Sequence, residues 1–153
     1  IRYIEENEPL GTAGSLGFLP ESPNQPILVM NGDVLTQVDF TKLLRFHQEY
    51  NASATICVRE HKTPIPYGVV MTEGSRVMSL EEKPELIHNV NTGMYILEPN
   101  LLKLLYPGQY CDMPQLLTRG LQKKHSVIAF PVHEYWMDVG YQETFDQANR
   151  DWE

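Results

Sequence analysis

The sequence predicts an α/β protein with parallel strands early and an antiparallel insert in its middle. Three observations carry that expectation. Ile27-Leu28-Val29-Met30 is a continuous apolar run, the pattern of a strand buried on both faces. An amphipathic segment and an alternating strand follow it, completing a β-α-β unit. Further along, two strand-like stretches meet at Gly74-Ser75, a two-residue hairpin turn, and helical patterns then resume.

Each element has a local reason. Pro26 and Asn31-Gly32 bound the first strand. Asp39 caps a helix whose apolar face is Phe40, Leu43, Leu44 and His47, and Asn51 ends it. Ala54, Ile56 and Val58 alternate as the next strand. Residues 67–72 and 76–82 form the hairpin. Residues 90–97 make another strand, in which polar Asn91-Thr92 followed by Gly93 predicts a bulge or a ligand at close range. Asp112 begins a helix with Pro114 early and Gln115 at the capping-box position. Its face is Met113, Leu116, Leu117 and Leu121, and Lys123-Lys124-His125 complement its dipole. Gly120 costs that helix about 1 kcal/mol relative to Ala. Residues 127–132 and 135–139 are strands, and a last helix carries Tyr141, Phe145, Ala148 and Trp152.

The chain has 153 residues, of which 42% are hydrophobic and 21% charged, so one domain can bury a core without disulfide or metal staples. Its net charge of −8 argues against nucleic-acid and anionic-membrane partners. A phosphorylated small molecule stays open, because a divalent cation between carboxylates reverses the local sign. Cys57 and Cys111 have no metal-ligand spacing and read as reduced thiols, which points to the cytoplasm. The start at Ile1, running into Arg2-Tyr3-Ile4 like a strand end, reads as a fragment of a longer polypeptide.

Ligands of open α/β sheets bind beyond the carboxyl ends of the strands, so polar residues just after apolar runs come first. In Asn31-Gly32-Asp33, Gly32 permits close approach and Asp33 offers a hard oxygen suited to Mg²⁺. Such an Asp more often closes a strand-to-helix turn, but here Asp39 already caps the helix. Trp136-Met137-Asp138-Val139-Gly140 puts a second carboxylate at a strand end, where it reads equally well as a helix cap. If the two strands lie side by side, Asp33 and Asp138 converge, and with phosphate oxygens and water they form a Mg²⁺ shell. Leu10-Gly11-Thr12-Ala13-Gly14 offers backbone N–H groups to an anion or base edge, although it matches no phosphate-loop or dinucleotide pattern. Glu82 suits hydroxyl groups and Lys83 a phosphate, yet Glu82-Lys83-Pro84 alone reads more readily as a solvated turn. Tyr67-Gly68 carries the same ambiguity. The histidines show no metal spacing and no serine has a nucleophile-elbow context, which excludes a hydrolase.

Taken in order, Pro9-Leu10-Gly11-Thr12-Ala13-Gly14, Asn31-Gly32-Asp33, Tyr67-Gly68-Val69, Glu82-Lys83-Pro84, Asn91-Thr92-Gly93 and Trp136-Met137-Asp138-Val139-Gly140 resemble the sugar-1-phosphate nucleotidyltransferases. The resemblance covers almost the whole chain. It implies a Rossmann-like, mixed but mainly parallel sheet with helices on both faces and an antiparallel hairpin insert. It also implies transfer of a nucleoside monophosphate from an NTP to a sugar 1-phosphate, with pyrophosphate released. By that resemblance, Leu10, Gly11 and Gly14 border base and ribose, and Asp33 and Asp138 hold Mg²⁺. Gly68 and Asn91 meet the sugar, Glu82 accepts its hydroxyls, and Lys83 binds its phosphate. Gly32, Tyr67 and Thr92 complete the substrate-binding set, while Asp33, Lys83 and Asp138 carry the chemistry. The wording around Gly11 is similar to the mannose-1-phosphate or heptose-1-phosphate guanylyltransferase branch.

The family's opening strand and glycine-rich phosphate loop have no counterpart here. Residues 1–153 are therefore expected to be a nucleotidyltransferase domain without that segment. By itself it is expected to be weakly active or inactive, with a sheet edge that invites aggregation or homo-oligomer contacts. A sugar phosphate is already a dianion at pH 7, so no general base is required. One rival is a metal-dependent glycosyltransferase, which would carry a D-x-D triplet in place of Asn31-Gly32-Asp33. The other is a non-catalytic domain that senses nucleotide sugars.

Overall fold

A computed structural model describes residues 1, 3–19 and 23–151. The expected roles of Arg2 and Trp152 lie outside them, and residues 3–6 form no strand. The first elements are a short helix α1 (Gly11–Gly14), a 3-10 turn (Ser15–Phe18), strands β1 (Ile27–Met30) and β2 (Val34–Thr36), and helix α2 (Phe40–Glu49). Then come β3 (Ala54–Pro64), the hairpin β4 (Val69–Glu73) and β5 (Arg76–Glu81), and β6 (Glu85–Leu97). Helices α3 (Pro99–Leu102) and α4 (Met113–Gln122), strands β7 (Val127–Pro131) and β8 (Trp136–Asp138), and helix α5 (Gln142–Asp151) complete the order.

The main sheet has the order β1-β6-β3-β7. β1, β3 and β7 run in one direction, and β6 runs against them. The expected β-α-β unit is thus opened by a strand between its two members. Burial explains the placement. Met94 to Leu97 of β6 are all buried and take the centre, whereas Leu28 and Met30 of β1 stay partly exposed, as on an edge strand. β1 is therefore not buried on both faces.

Alternation along β6 builds two cores. Tyr95 and Leu97 pack with Ala54 against Ala13, Leu101, Met113, Leu116 and Leu117 of the helices on one face. Met94 and Ile96 pack with Cys57 against Leu43 of α2 and Val132 on the other. Helices thus cover both faces. Asp39 caps α2 by accepting from the Thr41 and Lys42 amides at 2.9 and 3.1 Å. His47, expected on the helix face, is buried and meets Thr55 Oγ1 at 2.8 Å and Glu98 at 3.3 Å. Gly120 has a packing reason, since a Cβ there would lie 2.7 Å from Leu101 Cδ1. Beyond the sheet, β3 and β6 continue as an exposed two-stranded ribbon, with Arg59 opposite Val90 and Pro64 opposite Glu85. The β4–β5 hairpin extends from it and turns at Gly74, whose φ is +59°. Among the described residues, no helix is long and apolar enough to cross a membrane.

Candidate active site

The chain leaves β1 at Met30, turns through Asn31-Gly32-Asp33, and enters β2. β2 pairs antiparallel with β8, with Val34 opposite Asp138. The Val139 N–H donates to the Asp33 carbonyl at 2.8 Å. This short pairing brings the two carboxylates to Gly140. A Cβ built there would lie 3.0 Å from Asp138 Oδ1 and 3.4 Å from Asp33 Oδ2. The two oxygens are therefore no farther apart than the sum of those distances. The Gly140 N–H also donates to Asp138 Oδ1 at 2.9 Å, and both carboxylates are exposed.

Two exposed carboxylates make a hard-oxygen donor set with coordination positions left for water and phosphate, which fits Mg²⁺. Among the described residues, no three His, Cys, Asp or Glu converge to hold a metal unaided. A cation here would complete its shell with oxygens of a ligand.

Gly93 sets the position of the Asn31 turn. Its φ is +76°, and a Cβ would lie 2.9–3.2 Å from Asn31 side-chain atoms. The Asn31 N–H donates to the Gly93 carbonyl at 2.9 Å. The predicted irregularity in β6 is present, because the register with β3 shifts between Ile56 and Val58, opposite this segment. Asn91 is exposed at the shift. Its Nδ2 donates to the Tyr95 hydroxyl at 2.6 Å, and its Oδ1 accepts from the Gly93 amide at 3.0 Å. Thr92 differs from expectation: its hydroxyl is buried and donates to the Cys57 carbonyl at 2.9 Å. The Thr92 carbonyl accepts from the Trp136 indole at 2.8 Å, which ties β6 to β8 beside Asp138.

A cleft of about 670 Å³ joins this turn to the glycine segment, with Gly11, Thr12, Ser15, Asn31, Gly32 and Asp33 in its wall. Leu10 and Gly14 are buried, and a Cβ on Gly14 would lie 2.6 Å from Leu10 Cβ, so that pair packs behind the surface. Nor are all the amides of this segment free for an anion. Thr12 N–H donates to Asp112 Oδ1 and Ala13 N–H to the Cys111 carbonyl. None of the described residues lining the cleft is Lys or Arg.

Gly68 and Glu82 meet at the base of the hairpin, where a Cβ on Gly68 would lie 3.0 Å from Glu82 Oε2. Tyr67 stands beside them, strongly exposed. Lys83 has φ +48°. Asn51 and Lys124 are also left-handed, but each ends a helix, where that conformation is common. Lys83 lies between two strands, and a left-handed non-glycine held in such a turn marks stored strain of the kind that gathers at functional sites. Cys57 is inert: burial first, then the nearby Glu134 charge, pushes its thiol up to about 12. Sequence spacing gave no signal for the contacts of Asp112 with Thr12 and of Trp136 with Thr92, whose partners lie 100 and 44 positions apart along the chain.

The chain matches the Nucleotidyl transferase family model over residues 1–153. A mannose-1-phosphate guanyltransferase of Yarrowia lipolytica is 36% identical, with 95% of this chain and 42% of that protein covered. The catalytic subunit beta of mannose-1-phosphate guanylyltransferase from Danio rerio is 33% identical over the same shares. The crystal structure of HddC from Yersinia pseudotuberculosis complexed with GMP-PN superposes with a TM-score of 0.68 at 24% identity, covering 97% of this chain and 65% of that one. The chain thus spans less than half the length of these curated relatives.

Proposed function

The chain belongs to the nucleotidyl transferase family, and from that premise we propose that its protein transfers a nucleoside monophosphate from an NTP to a sugar 1-phosphate. The observation that carries the reading is the convergence of Asp33 and Asp138 at Gly140, beside the cleft walled by Gly11 and Thr12. The acceptor is a phosphate monoester whose second ionisation lies near pH 6, so it attacks without a general base. Its oxygen bonds to the α-phosphorus, the bond from that phosphorus to the β-phosphate oxygen breaks, and pyrophosphate leaves.

The chain's residues have to bring two anions together in line. Asp33 and Asp138 hold Mg²⁺, which neutralises charge on the triphosphate when bound. The Gly11-Thr12 turn orients base and ribose. Glu82 and Asn91 orient the sugar, and Lys83 gives its phosphate a charged contact. The substrate names of the relatives make GTP and mannose 1-phosphate the first pair to try. Free Cys57 and Cys111, both buried, suit a reducing cytoplasm.

The test is pyrophosphate release by the intact protein with Mg²⁺, run over a panel of NTPs and sugar 1-phosphates. Release coupled to formation of an NDP-sugar is expected. Sugar transfer from an NDP-sugar without pyrophosphate would replace this reading with a glycosyltransferase. Binding of nucleotide sugar without turnover would replace it with a sensing domain.

A further inference from the structure

Asp112 caps α4, yet its carboxylate is shared with another element. Oδ1 accepts from the Thr12 amide at 3.2 Å, and Oδ2 accepts from the Tyr110 hydroxyl at 2.8 Å. In return, Thr12 Oγ1 accepts from the Met113 amide at 2.8 Å, the first N–H of α4. Each helix thus receives a cap from the other across 100 residues of sequence. The Asp112 amide is satisfied separately by Gln115 Oε1 at 3.0 Å. Backbone bonds close the joint, with Cys111 N–H donating to the Leu10 carbonyl at 2.8 Å and Ala13 N–H to the Cys111 carbonyl at 2.9 Å. Gly11 is pressed into it with φ +78°, leaving no room for a Cβ, which would lie 2.7 Å from Asp112 Oδ1. Gly11 and Thr12 also wall the cleft.

We infer that Asp112 is a positioning residue for the nucleotide: through the Thr12 amide it fixes the Gly11-Thr12 turn that faces the base and ribose. The inference rests on the nucleotide reading given above. A carboxylate that served only α4 would have no need of Thr12, and the reciprocal Met113 bond makes the turn and the helix start one rigid unit.

Two substitutions separate positioning from helix capping. Asp112→Ser keeps a good cap for α4, but its oxygen is one bond closer to the backbone and does not reach Thr12. Asp112→Asn keeps both the reach and an acceptor. In the intact protein, KM and Kd for GTP should rise about tenfold in the Ser variant, with kcat and the KM for mannose 1-phosphate changed by roughly twofold at most. The Asn variant should return to within about twofold of wild type. Thermal midpoints run alongside identify loss of folding. Unchanged GTP binding in the Ser variant, equal losses in every constant, or no rescue by Asn would overturn the inference. Wild-type protein that binds no NTP at all would overturn the nucleotide reading beneath it.

Discussion

Gly93→Ala should destabilise the protein by roughly 2–5 kcal/mol, and the structure divides that cost into two parts. An L-residue in the left-handed region costs roughly 1–2 kcal/mol, and Gly93 has φ +76°. The remainder is crowding, because the added Cβ would lie 2.9, 3.0 and 3.2 Å from Asn31 Nδ2, Cγ and Cβ. Contact with Asn31 Cβ means that a swing of the amide tip is no escape. The Asn31 backbone is itself bonded to the Gly93 carbonyl. Overpacking of this kind costs typically about 1–3 kcal/mol. Gly108 supplies the control, since it has the same φ of +76° and nothing within 4 Å of a built Cβ. Gly108→Ala should therefore lose only the backbone part, about 1–2 kcal/mol. Gly32 has open space and no positive φ, so Gly32→Ala should be neutral or slightly stabilising. Urea denaturation of the three variants gives the series directly. At about 2–4 °C per kcal/mol, the Gly93→Ala midpoint should fall by roughly 4–20 °C on heating. Equal losses at Gly93 and Gly108 would refute the crowding of Asn31, and no loss at either would refute the strain.

Lys83→Ala should reduce kcat/KM for the sugar 1-phosphate by roughly 10- to 150-fold with little change for the NTP, matching one charged contact. Lys83→Gly should show the same kinetic loss while raising the urea midpoint, because φ +48° is unstrained for glycine. Gly140→Ala puts a methyl 3.0 and 3.4 Å from the two carboxylate oxygens and should raise the Mg²⁺ concentration for half-maximal turnover several-fold, read by metal titration. The thermal midpoint should barely move, because the atoms that must shift are exposed side-chain ends. Cys57 is raised in the folded state from 9.0 to about 12, so its contribution is complete below pH 9. As pH rises toward 12 the unfolded thiol ionises while the folded one resists, and stability falls. Urea midpoints against pH should show that decline, and Cys57→Ala should lessen it.

Local signals proved readable where their cause was local. Asp39 and Gln115 sit at capping positions, Gly74 turns the hairpin, and Asn91-Thr92-Gly93 marks the register shift in β6. Pairing order was hidden, because nothing near Ile27–Met30 records that β6 will lie beside it. Three-residue β2 is too short for any periodicity, and the charged stretch 59–64 masks the ribbon half of β3. The proximity of Asp33 and Asp138 is expected from the Ile27–Met30 strand lying beside the strand of Asp138. Those two do not pair, and it is the short β2 just after Asp33 that pairs with β8 and brings the carboxylates together. Thr92 misled because a polar residue before glycine in an apolar strand suggests a ligand at close range, whereas its hydroxyl is needed by an interior carbonyl. The second task of Asp112 was invisible for the same reason as the sheet order: its partner is distant in sequence.

Every residue of β4 and β5 is exposed except half-buried Val69, and a two-stranded ribbon alone is marginally stable in water. Its opening free energy therefore lies near the bottom of the molecule's range, far below that of Met94 to Leu97. Glu82 and Lys83 hang on that ribbon. An acceptor that engages them must select the closed fraction, so its apparent affinity is the intrinsic one reduced by that fraction. Amide exchange in 69–81 should slow on adding acceptor while the β6 core stays unchanged, and mutations that stiffen the hairpin should tighten acceptor binding without touching the sugar.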